Sequence, residues 1–118
     1  MSENIASIDQ RRALRKRANF TAVVTDVITG QPMGHLGNLS TTGMLLISTH
    51  APRSAAIYQV RLSLPAPGHL PQTIEAGIQE QWHEHAASPG QVWAGYRIVA
   101  IDEADAALLG AWLEQPGA

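Results

Sequence analysis

The chain has 118 residues, 45% of them hydrophobic and 15% charged, and a formal net charge of −2 at pH 7. That length suits one domain with one core, and the composition is that of a folded globular chain rather than a disordered one. The absence of cysteine excludes disulfides, thiolate metal sites and cysteine nucleophiles, and the slightly acidic balance argues against a broad nucleic-acid surface.

Residues 1–10 are polar, carry Glu3 and Asp9 and have no apolar stretch. They are expected to be a flexible tail rather than a signal peptide, with 11–118 forming a single domain. Arg11, Arg12, Arg15, Lys16 and Arg17 follow, five of the eight Lys and Arg residues. Positive charge so concentrated on a mildly acidic body points to a local anion site. The plain reading is a solvated basic arm. The sharper one uses the guanidinium, which forks onto phosphate or onto the O6/N7 edge of guanine and stacks on bases. An Arg11-x-x-x-Arg15 pair can grip both parts of one guanine nucleotide.

Phe20–Val24 is rich in β-formers and predicts a strand. Thr29-Gly30-Gln31 predicts a hairpin tip, and His35–Leu39 a short strand entering a turn at Ser40–Gly43. In Asn38-Leu39-Ser40-Thr41-Thr42-Gly43, Asn and Ser bond nearby backbone and Gly takes a positive φ. The same residues can also serve a ligand: Asn38 and Ser40 as polar contacts, Gly43 as clearance. Met44–Ile47 is a continuous apolar run, expected as a buried strand and far short of the about 20 residues that span a membrane.

Tyr58–Leu64 alternates, with Val60, Leu62 and Leu64 on one face. Pro65, Pro67, Gly68 and Pro71 predict a rigid connection. Thr73–Trp82 alternates again, placing Ile74, Ala76, Ile78, Glu80 and Trp82 on one face, Glu80 being the exception in polarity. His83–Gln91 reads as a polar loop turning at Pro89-Gly90; the His83-Glu84-His85 triplet lacks a third metal ligand nearby. Val92–Ile101 predicts the last strand. Asp102 caps a helix with Glu103 and Asp105 in its first turn, and Leu108, Leu109, Trp112 and Leu113 form its apolar stripe, expected to pack on an open barrel end. The sum is an all-β, six-stranded antiparallel barrel with a C-terminal helix.

An Arg-x-x-x-Arg arm, a hairpin, then Asn-x-Ser-x-x-Gly running into an apolar strand resembles the PilZ family of bacterial signalling domains. Arg11/Arg15 match its first motif and Asn38–Gly43 its second, in the Asn form. Ala94-Gly95-Tyr96-Arg97-Ile98 resembles that family's last strand. The resemblance spans roughly residues 10–114, and each motif is short. It implies a PilZ-type barrel that binds the second messenger cyclic di-GMP without cofactor, metal or catalysis. Arg11 and Arg15 would contact guanine and phosphate, Arg12 assisting. Asn38 and Ser40 would read the base, with Gly43 leaving room. Trp82 and Arg17 are further ligand-facing candidates. In a register that starts the strand sooner, Arg17 replaces Arg15 and its motif partner becomes Ala13.

The expected protein is a cytoplasmic receptor that changes conformation on binding, its basic arm mobile until ligand arrives, and that signals to a protein partner. The expectation includes no nucleic-acid partner and no membrane insertion. One alternative is a protein-interaction module of the same fold that binds no nucleotide. A nucleic-acid-binding barrel is the other, disfavoured because aromatics are only 5% of residues where base-stacking platforms need several.

Overall fold

A computed structural model describes residues 15–17, 22–66 and 69–115, the first three as backbone. The strands are β1 (Arg15–Arg17), β2 (Val23–Asp26), β3 (Pro32–Ser40), β4 (Gly43–Ser48), β5 (Ile57–Ala66), β6 (His69–His85) and β7 (Val92–Ala100), followed by helix α1 (Glu103–Glu114). All pairings are antiparallel, in the order β1-β3-β2-β5-β6-β7-β4, and β4 returns to β3. That last ladder closes the barrel. β2 and β1 lie along successive halves of β3, pairing with its residues 32–35 and 38–40. Seven strands therefore occupy six places, and the six-stranded antiparallel barrel with its terminal helix is what the sequence pattern implied.

Local chemistry sets the corners. Asp26 Oδ1 accepts from the backbone N–H of Ile28 (2.8 Å) and Thr29 (3.2 Å), and Gly30 closes the β2–β3 turn at φ 74°, a region open to glycine without strain. Gly90 does the same at φ 79° between β6 and β7. The proline-rich segment is not the separate connection expected from it. β5 runs to Ala66 and β6 starts at His69. Pro65 falls in the register irregularity between Leu64 and Ala66, and Pro71 opposite it, between the paired His69 and Gln72. Neither position asks proline for the ladder donor it lacks. β6 likewise continues through His83–His85, paired with β7, so that triplet ends a strand and is not a loop.

Alternation fills the barrel. Val24, Leu36, Val60, Leu62, Leu64, Ile74, Ile78, Leu46 and Ala94 are all buried in one cluster. Leu109, Trp112 and Leu113 of α1 join that cluster. Asp102 caps the helix by accepting from Asp105 N–H at 2.8 Å. Two further bonds fix α1 to the barrel: Trp112 Nε1 donates to the Pro65 carbonyl at 2.8 Å, and Glu75 N–H donates to Asp105 Oδ2 at 3.0 Å. The helix thus covers the barrel where the β5–β6 hairpin leaves it.

Leu109 is 2% exposed, and removing a buried leucine to alanine costs about 2–5 kcal/mol. Leu109→Ala should lower the denaturant midpoint accordingly with an unchanged m-value. A loss below about 1 kcal/mol would mean α1 is peripheral to the core.

Candidate ligand groove on the outer barrel face

In a strand, residues 36, 38 and 40 share a face, and so do 78, 80 and 82. Here they do not. β3 pairs Leu36 with Leu46 and then Asn38 with Leu45, leaving Gly37 as an extra residue. β6 pairs Glu80 with Tyr96 and then Trp82 with Gly95, leaving Gln81 extra. Each is a β-bulge, and a bulge re-aims the side chains beyond it. Leu36 and Glu80 stay inside, whereas Leu39 is buried and Asn38 turns to the outer side. Trp82, which the alternation grouped with the inward residues, is 46% exposed.

The consequence is a row of cross-strand neighbours on the outer face, Asn38–Leu45–Gly95–Trp82, reaching over four strands. Beside it Gly43 pairs with Arg97. These residues, with Ser40, Thr42 and Gln81, line an open cavity of about 330 Å³, at the small end of the roughly 300–1,000 Å³ of ligand sites. Asn38, Ser40, Gly43 and Trp82, singled out in the sequence from separate segments, therefore meet in one groove. The arm meets it too: β1 pairs Arg15 with Ser40 and Arg17 with Asn38. Arg11 and Arg12 lie outside the described residues, as does the 1–10 tail. Over Arg15–Arg17 the arm is already a paired strand, which corrects the expectation of a mobile arm for those three residues.

The second motif acts largely on itself. Ser40 is 1% exposed. Its Oγ accepts from the N–H of Thr42 (3.2 Å) and Gly43 (3.1 Å) and lies 3.3 Å from the Gly43 carbonyl as donor. The hydroxyl shapes the turn into β4. Gly43 has no positive φ, contrary to expectation. Its requirement is a close approach instead: a Cβ there would collide with the Tyr96 carbonyl of β7. Gly95 serves Trp82 in the same way, because a Cβ would strike the indole nitrogen and lie 2.6 Å from Cε2. The indole lies across a bare stretch of β7 backbone and borders the groove.

Arg97 is the cavity residue that motif reading missed as a site. It is exposed and makes no ion pair among the described residues. Its outward position in β7, opposite Gly43, was visible only through the register.

Behind the groove is a buried carboxylate. Glu80 is 6% exposed; its Oε1 accepts from Ala55 N–H at 2.8 Å and its Oε2 lies 2.7 Å from His83 Nδ1. The Ala55 bond, then His83, hold the Glu80 pKa below the ordinary 4.5 despite desolvation. Tyr96, directly across from Glu80, is pushed up by burial and then by Tyr58 and Glu80, so its phenol stays neutral. The Tyr96 ring meets Tyr58 edge-on at 6.2 Å and 81°. These tyrosines, with Met33 and His50, border a separate cavity of about 450 Å³ at the barrel mouth. Among the described residues no cluster of three or more metal-ligating side chains occurs, and no helix is long and apolar enough to cross a membrane.

No protein-family model matches the chain, and no curated protein does. Among solved structures, the inhibitor of motility MotI/DgrA of Bacillus subtilis is similar, with a TM-score of 0.69 and 14% identity over 87% of this chain. The chain spans about half, 49%, of that protein's length. At such identity the likeness is one of fold: the barrel and terminal helix are shared.

Two outcomes follow from this geometry. Gly43→Ala forces a methyl onto the Tyr96 carbonyl and should destabilise the protein by about 1–3 kcal/mol; a neutral effect in urea denaturation would mean the β4–β7 approach is not tight. For Glu80, the folded pKa lies below the unfolded one. Its contribution to stability is therefore present above pH 4.5 and lost as pH falls through the lower folded value. Wild type should lose more stability than Glu80→Gln between pH 5 and acid, read by thermal melts; parallel pH profiles would contradict that.

Proposed function

We propose that the chain is a PilZ-type receptor for cyclic di-GMP, without enzymatic activity, that passes ligand occupancy to a protein partner. The observation that carries this reading is the convergence of Asn38, Gly43 and Trp82 on one groove whose rim is the Arg15–Arg17 strand. Cyclic di-GMP carries two phosphates and two guanines. Arginine forks onto both groups, and Arg97 adds a cation on the far side of Gly43. The exposed face of Trp82 offers a surface on which a base can stack, an interaction worth about 1–3 kcal/mol per base. Asn38 supplies amide donors and an acceptor for a base edge. Ser40 supports the site by fixing the turn.

The similarity to an inhibitor of motility fits a regulatory adaptor. A second reading keeps the fold and drops the nucleotide. It is favoured by the outer-face row next to the groove, where half-exposed Trp93 pairs with Ile47 and exposed Val23 pairs with His35, a surface suited to protein contact. The two readings part on one titration.

Calorimetry with cyclic di-GMP against GTP and cyclic GMP should show selective binding of the cyclic dinucleotide. Arg15→Ala should weaken it by about 2 kcal/mol or more, through loss of a charge-assisted contact. Arg11→Ala should cost far more than Arg17→Ala, both removing one charge. Absence of binding by wild type at high micromolar nucleotide refutes the receptor reading. Equal small losses for the two arginines refute the Arg11/Arg15 assignment.

A further inference from the structure

Glu80 and His83 are separated by three positions in β6. In a regular strand, residues so spaced point to opposite faces. They bond here at 2.7 Å because Gln81 is the extra residue of the bulge between them. The bond thus spans the bulge and exists only while the bulge does. The other carboxylate oxygen holds the N–H of Ala55, a non-glycine residue at φ 60°, where a side chain is disfavoured. Gln79 Nε2 donates to the Ala55 carbonyl at 3.1 Å, and Glu80 N–H to the Ala56 carbonyl at 3.0 Å. The Arg53–Ala56 turn is therefore pinned to β6 at the bulge.

The bulge decides where Trp82 points. Without it, the alternation Ile74, Ile78, Glu80, Trp82 would carry the indole to the inner face, where an apolar ring gains most from leaving water. With it, the indole lies outside across Gly95, 46% exposed. A large apolar side chain held half in water needs something that prefers the outward register. Glu80 is the group that has that preference: only in the bulged strand do His83 and Ala55 N–H both reach its two oxygens.

We propose that Glu80 is a positioning residue for the ligand groove: its bonds to His83 and Ala55 clasp the β6 bulge, hold Trp82 outward, and tie the groove to the Arg53–Ala56 turn. As a role in nucleotide recognition this rests on the function proposed above; as a conformational device it does not. A ligand that stacks on Trp82 favours the same bulged register. By reciprocity of coupling, groove occupancy then tightens the turn, and a partner that grips the turn tightens the groove.

The test uses the whole chain. Trp82 is followed through its indole ¹⁵N–¹H signal, assigned with Trp82→Phe, and the turn through amide exchange at Ala55. Glu80→Leu keeps the bulk and removes both acceptors; Glu80→Gln retains an acceptor for Ala55 N–H and an amide for His83. In ligand-free protein, Glu80→Leu should move the indole signal and raise Ala55 exchange about tenfold, and Glu80→Gln should restore both. For cyclic di-GMP, Glu80→Leu should weaken binding about tenfold, within the usual span of coupling between sites. Adding cyclic di-GMP to wild type should slow exchange at Ala55. A folded Glu80→Leu protein with unchanged indole signal and unchanged Ala55 exchange overturns the proposal, because a merely stabilising residue would lower the melting temperature and move neither. If Glu80→Leu does not fold, His83→Phe decides on the same two readouts: a moved signal supports the clasp and an unmoved one overturns it. If the indole moves but wild type binds no cyclic di-GMP, the clasp stands and the nucleotide reading falls.

Discussion

A closed β-barrel gives each strand residue two options, core or surface, in strict alternation. A one-residue slip exchanges them all. The groove described here depends on two such slips, at Gly37 in β3 and at Gln81 in β6. They lie on opposite sides of the β4–β7 ladder and bring Asn38 and Trp82 onto the outer face at the two ends of one row. Upstream of each bulge the strand still supplies the core with Leu36 and Ile78, both at most 5% exposed. The barrel thus keeps its packing and gains a polar-and-aromatic groove from the same two strands.

The floor of that groove is set by close backbone approach. Gly43 and Gly95 are adjacent on the β4–β7 ladder's outer face, and each leaves space that a Cβ would fill. At Gly43 the space is taken by the Tyr96 carbonyl, at Gly95 by the Trp82 indole. Ser40 then fixes the turn that delivers Gly43, using its hydroxyl on the backbone of Thr42 and Gly43. The motif Asn-x-Ser-x-x-Gly therefore divides its work: Asn38 faces the groove, while Ser40 and Gly43 build it. Glu80 is the costliest member, a carboxylate taken out of water. It is tolerated because a backbone N–H and an imidazole satisfy it.

Much of the fold was legible in the sequence because alternation and turn chemistry agree along most of the chain. Val60–Leu64, Met44–Ile47, the Thr29–Gly30 turn and the Asp102 cap all state their positions locally. Strand lengths around Pro65 and Pro71 were not legible. Whether proline ends a strand depends on whether the ladder asks for its N–H there, and that is a matter of register. Asn38 and Gly43 were legible as groove residues through the resemblance of their segment to the PilZ motif; alone it reads as an ordinary turn. The outward aim of Trp82, the place of Arg97 and the Glu80–His83 bond were not. The first and the last depend on the Gln81 bulge, which neither Gln79 nor Gln81 announces, whereas Arg97 is placed by the β4–β7 register opposite Gly43. The bulge's one sequence trace is Glu80 itself, a charge on an otherwise apolar face.

On the function proposed above, the outer-face row between the two bulges receives the nucleotide. Amide chemical-shift mapping during a cyclic di-GMP titration tests it most directly. The largest shifts should fall at Asn38, Leu45, Gly95 and Trp82, with smaller ones at Ala55. Shifts confined to Met33, His50 and Tyr58 around the barrel mouth, or no shifts at all, would contradict it.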